Sequence, residues 1–208
     1  MKTQRERMIN GELYYPGSGE TELRELFMRS RRLMREYNQT SELEAEKRAA
    51  LLKEWLGKTG EKVYIEPNFK CDYGKHISVG ERFYANFDCI MLDVCPITIG
   101  DNTMFGPRVS LLTASHPIDA QVRVSGLELG SPITIGSNVW LGGGVIVNPG
   151  VTIGDNCVIG SGAVVTKNIP PNTIAAGNPC RVIRPITDED KSYWEKQASL
   201  YWEEVEGN

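Results

Sequence analysis

The 208-residue sequence has no long apolar run, no Lys/Arg run, no CxxC pair and only two histidines. Each absence removes a class of function. No stretch approaches the roughly 20 apolar residues of a membrane span. The opening MKTQRERMINGEL has no apolar signal core, so a cytoplasmic protein is expected. A formal charge of -4 without a basic block gives no electrostatic footprint for nucleic acid or an anionic membrane surface. The five cysteines, Cys71, Cys89, Cys95, Cys157 and Cys180, are odd in number and read as reduced, small apolar residues, not as a disulfide frame. Zinc needs three or four ligands, and two scattered histidines among unclustered cysteines are a poor source, so no metal is expected. No Ser or Cys sits in a nucleophile motif such as GxSxG, which leaves a covalent intermediate without support.

What is present is a rhythm. In residues 133–166, Ile135, Leu141, Val147, Ile153, Ile159 and Val165 recur every six residues, and glycine follows four of them directly, as Gly136, Gly142, Gly154 and Gly160. A helical period of 3.6 would scatter these residues, and a period of two gives no reason for a glycine at every sixth step. Six-residue repetition predicts a β-solenoid, in which each hexad is a short strand plus a turn with its apolar residue in a continuous core. The rhythm also runs through Val79, Ala85 and Met91, slips by two residues, and resumes at Ile99, Phe105 and Leu111. Three hexads make one three-sided coil, so residues eighteen apart should stack at about 4.8 Å, which would set Cys71 beside Cys89 as neighbouring free thiols.

Around the repeats lie helices and one excursion. Residues 1–60 read as helical: Thr21 to Tyr37 is amphipathic, and a second helix begins at Ser41, with Glu44 reaching back to close a capping box and Gly57 ending it. The two form a hairpin that packs on a larger body. The solenoid spans residues 61–186, interrupted at 112–132, where an insertion must be pushed out of the coil. Residues 187–208 return to helix, with Tyr193, Trp194, Tyr201 and Trp202 on a broad face, expected to cap the last coil and hide its edge.

The excursion carries His116, between Ser115 and Pro117. Histidine is the natural general base at neutral pH, and Asp119 or Glu128 in the same loop could orient its ring. His76, inside the repeats, reads as a surface strand residue. Upstream, Asp72, Tyr84, Asn86 and Asp93 recur near one region of the coil and offer polar groups for a polyhydroxy ligand.

RERMINGELY and the charged segment ending in YNQT, then NFKCDYGKHISVG, FYANFDCIMLDVCPITIGDN, the SHPIDAQVR loop, SPITIGSNVWLGGGVIVNPGVTIGDN and GNPCRVIR, together resemble the hexapeptide-repeat sugar O-acetyltransferases, nearer the maltose than the galactoside branch. The resemblance implies a mainly β fold, a left-handed parallel β-helix with an N-terminal helical hairpin and a C-terminal helix, assembled as a homotrimer with sites between subunits. It implies acetyl transfer from acetyl-CoA to a hydroxyl of a glucose- or maltose-type sugar. His116 matches the general base, with Asn86 and Glu128 at the reaction centre; Asp72, Tyr84 and Asp93 match acceptor positions. Trp140, Gly143, Ser161, Thr166, Lys167, Arg181 and Arg184 match the coenzyme groove, with the Gly143 N–H as the candidate oxyanion donor. One departure stands out: where the galactoside branch carries a sugar-binding acid, this chain has Pro16 in YYPGSGE. A non-sugar or antibiotic alcohol as acceptor, a metal hydratase on the same solenoid and a catalytically silent solenoid are the competing readings.

Overall fold

A computed structural model describes residues 1–206. Short strands stack into three sheets that form the sides of a prism, parallel throughout except for the last strand of the second side. The first side carries Ile77–Val79, Ile97–Ile99, Ile133–Ile135 and Thr152–Ile153. The second is seven-stranded and runs from Tyr64–Ile65 to Arg181–Pro185; the third is five-stranded, from Lys70–Cys71 to Val164–Val165. The hexad residues point inward as the repeat requires: Ala85, Met91, Leu111, Leu141, Val147, Ile153, Ile159 and Val165 are all fully buried. The observed solenoid therefore bears out the architecture expected from the repeats.

Coil length corrects one expectation. Tyr64 pairs with Tyr84 and Tyr84 with Met104, so the early coils take twenty residues, while Trp140 pairs with Val158 in an eighteen-residue coil. Cys71 consequently stacks on Met91 rather than on Cys89. The two added residues explain the slip in the rhythm. They enter where the third side turns into the first: Cys71 is followed by two buried first-side positions, Ile77 and Val79, and Met91 by Ile97 and Ile99.

The corner between the first and second sides is held by an asparagine ladder. Asn102 donates to Asn138 at 2.9 Å, Asn138 to Asn156 at 2.9 Å and Asn156 to Asn172 at 2.8 Å. All four asparagines have a positive φ, between 54° and 57°, a conformation that asparagine tolerates better than other side-chain-bearing residues.

Helices α2 (Thr21–Asn38) and α3 (Ala45–Trp55) close the first coil, while α1 (Gln4–Ile9) packs beside Leu129–Gly130, with Met8 in a second cluster with Tyr73 and Val94. Leu33, Tyr37, Leu52 and Trp55 join one core with Ile65 and Phe69. The Trp55 indole donates to Ser30 Oγ at 2.9 Å, and Tyr37 donates to the Ile65 carbonyl at 2.6 Å, so the polar ends of both buried aromatics are satisfied. Glu44 takes the Ser41 N–H at 2.7 Å, half of the expected box, but α3 starts only at Ala45 and Glu44 itself occupies the cap.

A short helix, α4 (Ala120–Val124), lies in the excursion, and α5 (Asp188–Glu206) ends the described chain. The expected capping role of α5 is not what is seen. No residue of α5 is buried, and Trp194 and Trp202 are 67% and 55% exposed. Instead, Arg181–Pro185 turns back antiparallel on Thr173–Ala176 and takes up the last edge of the second side.

Candidate active site

The corner between the third and first sides, where each early coil carries two added residues, gathers three candidate acids, Asp72, Asp93 and Glu128. Asp93 continues the inward alternation of Met91 and has no exposed surface. One carboxylate oxygen accepts the backbone N–H of Asp72 at 3.0 Å and of Tyr73 at 2.9 Å, and the other accepts that of His76 at 3.3 Å. Burial pushes this carboxyl up to about 7. Asp93 thus shapes the turn of the preceding coil and faces away from solvent. His76 is buried there too, contrary to the surface position expected. Its Nδ1 lies 2.7 Å from the Asp93 carbonyl oxygen, which makes Nδ1 the protonated nitrogen, and burial lowers its pKa.

Asp72, held by this turn, opens into a cavity of about 490 Å³ roofed by the first turns of α2. Glu128 and Tyr14 share the cavity. The Tyr14 hydroxyl donates to Glu128 Oε2 at 2.7 Å, and their backbones exchange N–H···O bonds of 3.0 Å in both directions. The Asp72 carboxyl is pushed up by burial while Arg31, 3.5 Å away, acts in the opposite sense. Tyr73 is pushed up to about 12 by burial and by Asp72.

The excursion leaves the coil at this same corner. Ser115 pairs antiparallel with Leu129, and Ala114 with Gly130. His116 directly follows Ser115, the last residue of this ladder, and is exposed. Of the two acids proposed to orient its ring, Asp119 is otherwise engaged, since its carboxylate caps α4 by accepting the Val122 N–H at 2.9 Å. Arg123 binds the carbonyls of Pro117 and Ile118, both at 2.9 Å, and so pins the chain just after His116.

The remaining candidates occupy other parts of the prism. Tyr84 lies on the second side, stacked on Tyr64 with ring centroids 6.1 Å apart. Asn86 follows it at the corner between the second and third sides, where Gly143 and Ser161 stand in later coils. Among the LGGG glycines the fold makes unequal demands. A Cβ on Gly142 would lie 2.6 Å from the Ser161 nitrogen, and Gly144 has φ +71°, whereas a Cβ on Gly143 would meet nothing closer than Pro107 at 3.3 Å. Thr166 and Lys167 are exposed beyond the last third-side strand, on the His116 corner. Trp140 is half exposed on the second side, and Arg181 is exposed on its edge. Arg184 is not free: it makes a two-pronged pair with Asp190 of α5, one arm at 2.8 Å.

The third side, from Lys70–Cys71 to Val164–Val165, lies between the two corners. The Asn86–Gly143–Ser161 corner and the Asp72–Glu128–His116 corner are therefore separate within one chain. Sequence reasoning gave Tyr14, Arg31 and Phe27, the aromatic of the α2 roof, no role at the site; they stand in the N-terminal segments read as helical, and only folding brings them to the acids.

Residues 7–60 match the maltose acetyltransferase hexapeptide capping motif, and residues 132–167 match six repeats of the bacterial transferase hexapeptide family. The chain is 49% identical over 173 residues to the galactoside O-acetyltransferase of Escherichia coli K12, covering 83% of this chain and 85% of that protein. The chain belongs to the hexapeptide-repeat acetyltransferases. Among solved structures, a maltose O-acetyltransferase from Clostridium difficile 630 superposes with a TM-score of 0.87 at 54% identity, covering 89% of this chain and 98% of its own. A galactoside acetyltransferase in complex with coenzyme A gives 0.87 at 46% identity, covering 92% and 94%. The family accounts for the sugar-acetyltransferase resemblance of the sequence and for the β-helix with helices at its two ends.

Proposed function

We propose that this acetyltransferase moves acetyl from acetyl-CoA to a hydroxyl of a glucose- or maltose-type sugar, with His116 as general base. The observation that carries the proposal is the convergence, at one corner, of the exposed His116 with a cavity into which Asp72 and Glu128 open. The carboxylates accept hydrogen bonds donated by the hydroxyls of a polyhydroxy acceptor and so hold it in place. The His116 imidazole takes the proton of the attacking hydroxyl as its oxygen bonds to the thioester carbonyl carbon. The tetrahedral intermediate then collapses, the C–S bond breaks, and the imidazolium returns the proton to the departing thiolate. An alcohol is too weak a nucleophile without that proton transfer, which typically contributes about 10²–10⁴ in rate.

Glu128, beside the Ser115–Leu129 pair that precedes His116 and anchored by Tyr14, serves as the positioning residue for the imidazole in this reading. Gly143 is the glycine of its run least required by the fold, which supports a close approach of the thioester there and a role for its N–H toward the oxyanion. Lys167 and Arg181 supply exposed positive charge for the coenzyme phosphates, while Arg184 already has Asp190 as partner. Because the Asn86–Gly143 and His116 corners are separate within one chain, the complete site in this proposal lies between copies, as in a homotrimer.

The test is release of free coenzyme A thiol from acetyl-CoA with glucose or maltose. His116→Ala, shown to be folded and still to bind coenzyme A, should lose at least about 10²-fold in turnover. Full retention of transfer by that variant would remove His116 from the mechanism.

A further inference from the structure

The turn from Tyr15 to Glu20, which covers the Asp72–Glu128 cavity together with α2, is clamped at both ends by α1. Gln4 Oε1 accepts the Tyr15 N–H at 2.8 Å, and the Glu20 carboxylate accepts the N–H of Gln4 at 2.6 Å and of Arg5 at 3.2 Å. The Arg5 side chain extends the clamp to α2, with Nη1 3.1 Å from Glu22. Among the described residues, two buried side-chain nitrogens have no hydrogen-bond partner, Arg5 Nε and His76 Nε2. They are of opposite kinds. Arg5 Nε can only donate, whereas His76 Nε2 accepts, because Nδ1 carries the proton that goes to the Asp93 carbonyl at 2.7 Å. The two groups also sense each other: burial chiefly, and the Arg5 charge with it, hold the imidazole's pKa below its ordinary value.

A single water that accepts from Arg5 Nε and donates to His76 Nε2 satisfies both nitrogens. It does so only for the neutral ring. Once Nε2 is protonated, two donors and two positive charges face the same water, and burial makes that arrangement costly. We infer that His76 is a positioning residue that seats α1 through a water shared with Arg5, and that its protonation unseats α1 and with it the Tyr15–Glu20 roof of the cavity. Around the ring stand Tyr73, with centroids 5.2 Å apart, Asp93, Lys75, Arg5 from α1 and Glu22 from α2. The Arg5 and Lys75 charges oppose protonation, and Glu22 and the Asp93 carbonyl favour it. The Asp93 carboxyl, pushed up to about 7 by burial, loses its charge over the same range, but it addresses the His76 backbone N–H at 3.3 Å, so replacing the imidazole alone separates the two. The consequence for acceptor binding rests on the reading of the cavity as the acceptor site.

The experiment takes the full-length protein from about pH 8 to pH 5. Amide hydrogen exchange, corrected for its intrinsic pH dependence, reads the seating of α1 and of residues 15–20. Imidazole NMR, simple in a chain with two histidines, reads the protonation of His76, and calorimetry reads glucose binding to protein saturated with coenzyme A. In the wild type, protection of α1 and of residues 15–20 should fall as His76 takes its proton. In His76→Gln, which keeps an accepting oxygen and takes no charge, it should stay level. Because glucose needs the seated roof in this reading, its wild-type Kd should rise toward about tenfold for each pH unit below the imidazole's pKa, beyond any rise in His76→Gln. Arg5→Gln, at a partly exposed position, removes the opposing charge and should raise the His76 pKa. Wild-type protection that stays level with pH, an equal fall in His76→Gln, or a His76 pKa unmoved by Arg5→Gln would overturn the inference. Absence of glucose binding at every pH would instead refute the acceptor reading, while exchange and the titration would still decide the role of His76.

Discussion

Asp93 offers a test in which the sign of an effect decides between two forces. Its buried carboxylate is favoured in the ionised form by three backbone N–H groups and disfavoured by the loss of water, and burial prevails, lifting its pKa from 3.8 to about 7. Between those values the unfolded residue has lost its proton while the folded one retains it. The native state then binds more protons, so this group stabilises the fold at low pH, and that contribution is lost as pH rises from about 4 to 7. The gap between 3.8 and about 7, at about 1.4 kcal/mol for each pH unit, sets the loss on the order of 4 kcal/mol. Asp93→Asn is neutral throughout. Its single carbonyl oxygen leaves one of the buried N–H groups without an acceptor, at a cost of about 1–3 kcal/mol. The variant should therefore be less stable than wild type at pH 5, with the difference shrinking or inverting by pH 8. Denaturant unfolding of both proteins at matched pH between 4.5 and 8 measures this, and groups common to both, His76 included, cancel to first order in the difference. A gap that widens with rising pH would show that the three N–H bonds outweigh burial, and the reasoning would be refuted.

The same structure yields further expectations. Trp55→Ala removes the centre of the hairpin's contact with the first coil and leaves Ser30 Oγ with only Cys71 Sγ at 3.7 Å; a loss of about 3–5 kcal/mol in denaturant unfolding is expected, with Trp55→Phe less harmful. Gly142→Ala places a methyl 2.6 Å from the Ser161 nitrogen and should cost about 1–3 kcal/mol or more, whereas Gly143→Ala should leave thermal stability nearly intact and reduce acetyl transfer. Arg184→Ala should change coenzyme A affinity less than Arg181→Ala or Lys167→Ala, because Arg184 is already paired with Asp190; calorimetric titration of the three variants separates them.

How far these features were legible in the sequence depends on whether a local pattern encodes them. The hexads are local: a residue's inward place is set by its distance from the previous inward residue, so the core from Ile135 to Val165 could be read directly. Asp93 was assigned to the acceptor instead of to the core, although the alternation that turns Met91 inward also turns Asp93 and Cys95 inward. What it caps was not legible. In an eighteen-residue coil Asp93 would stand over Lys75; the observed twenty-residue coil sets it over Tyr73, within reach of the Asp72 and Tyr73 N–H groups. A two-residue slip in the rhythm announced the longer corner, but not which side of the prism would take it.

The meeting of Tyr14 with Glu128, 114 residues apart, has no local signature at all, because their pairing is fixed only when the hairpin seats on the first coil and the excursion folds back beside it. Helix α5 shows the reverse limit. Its aromatic face was plain in the sequence and was assigned to the nearest exposed edge. That edge is already occupied by Arg181–Pro185, whose backbone pairs with Thr173–Ala176. A strand hydrogen-bonds along an open sheet edge with its own N–H and C=O groups. A helix has spent those groups internally, so wherever chain is available to form a strand, the strand takes the edge and the helix is left outside it.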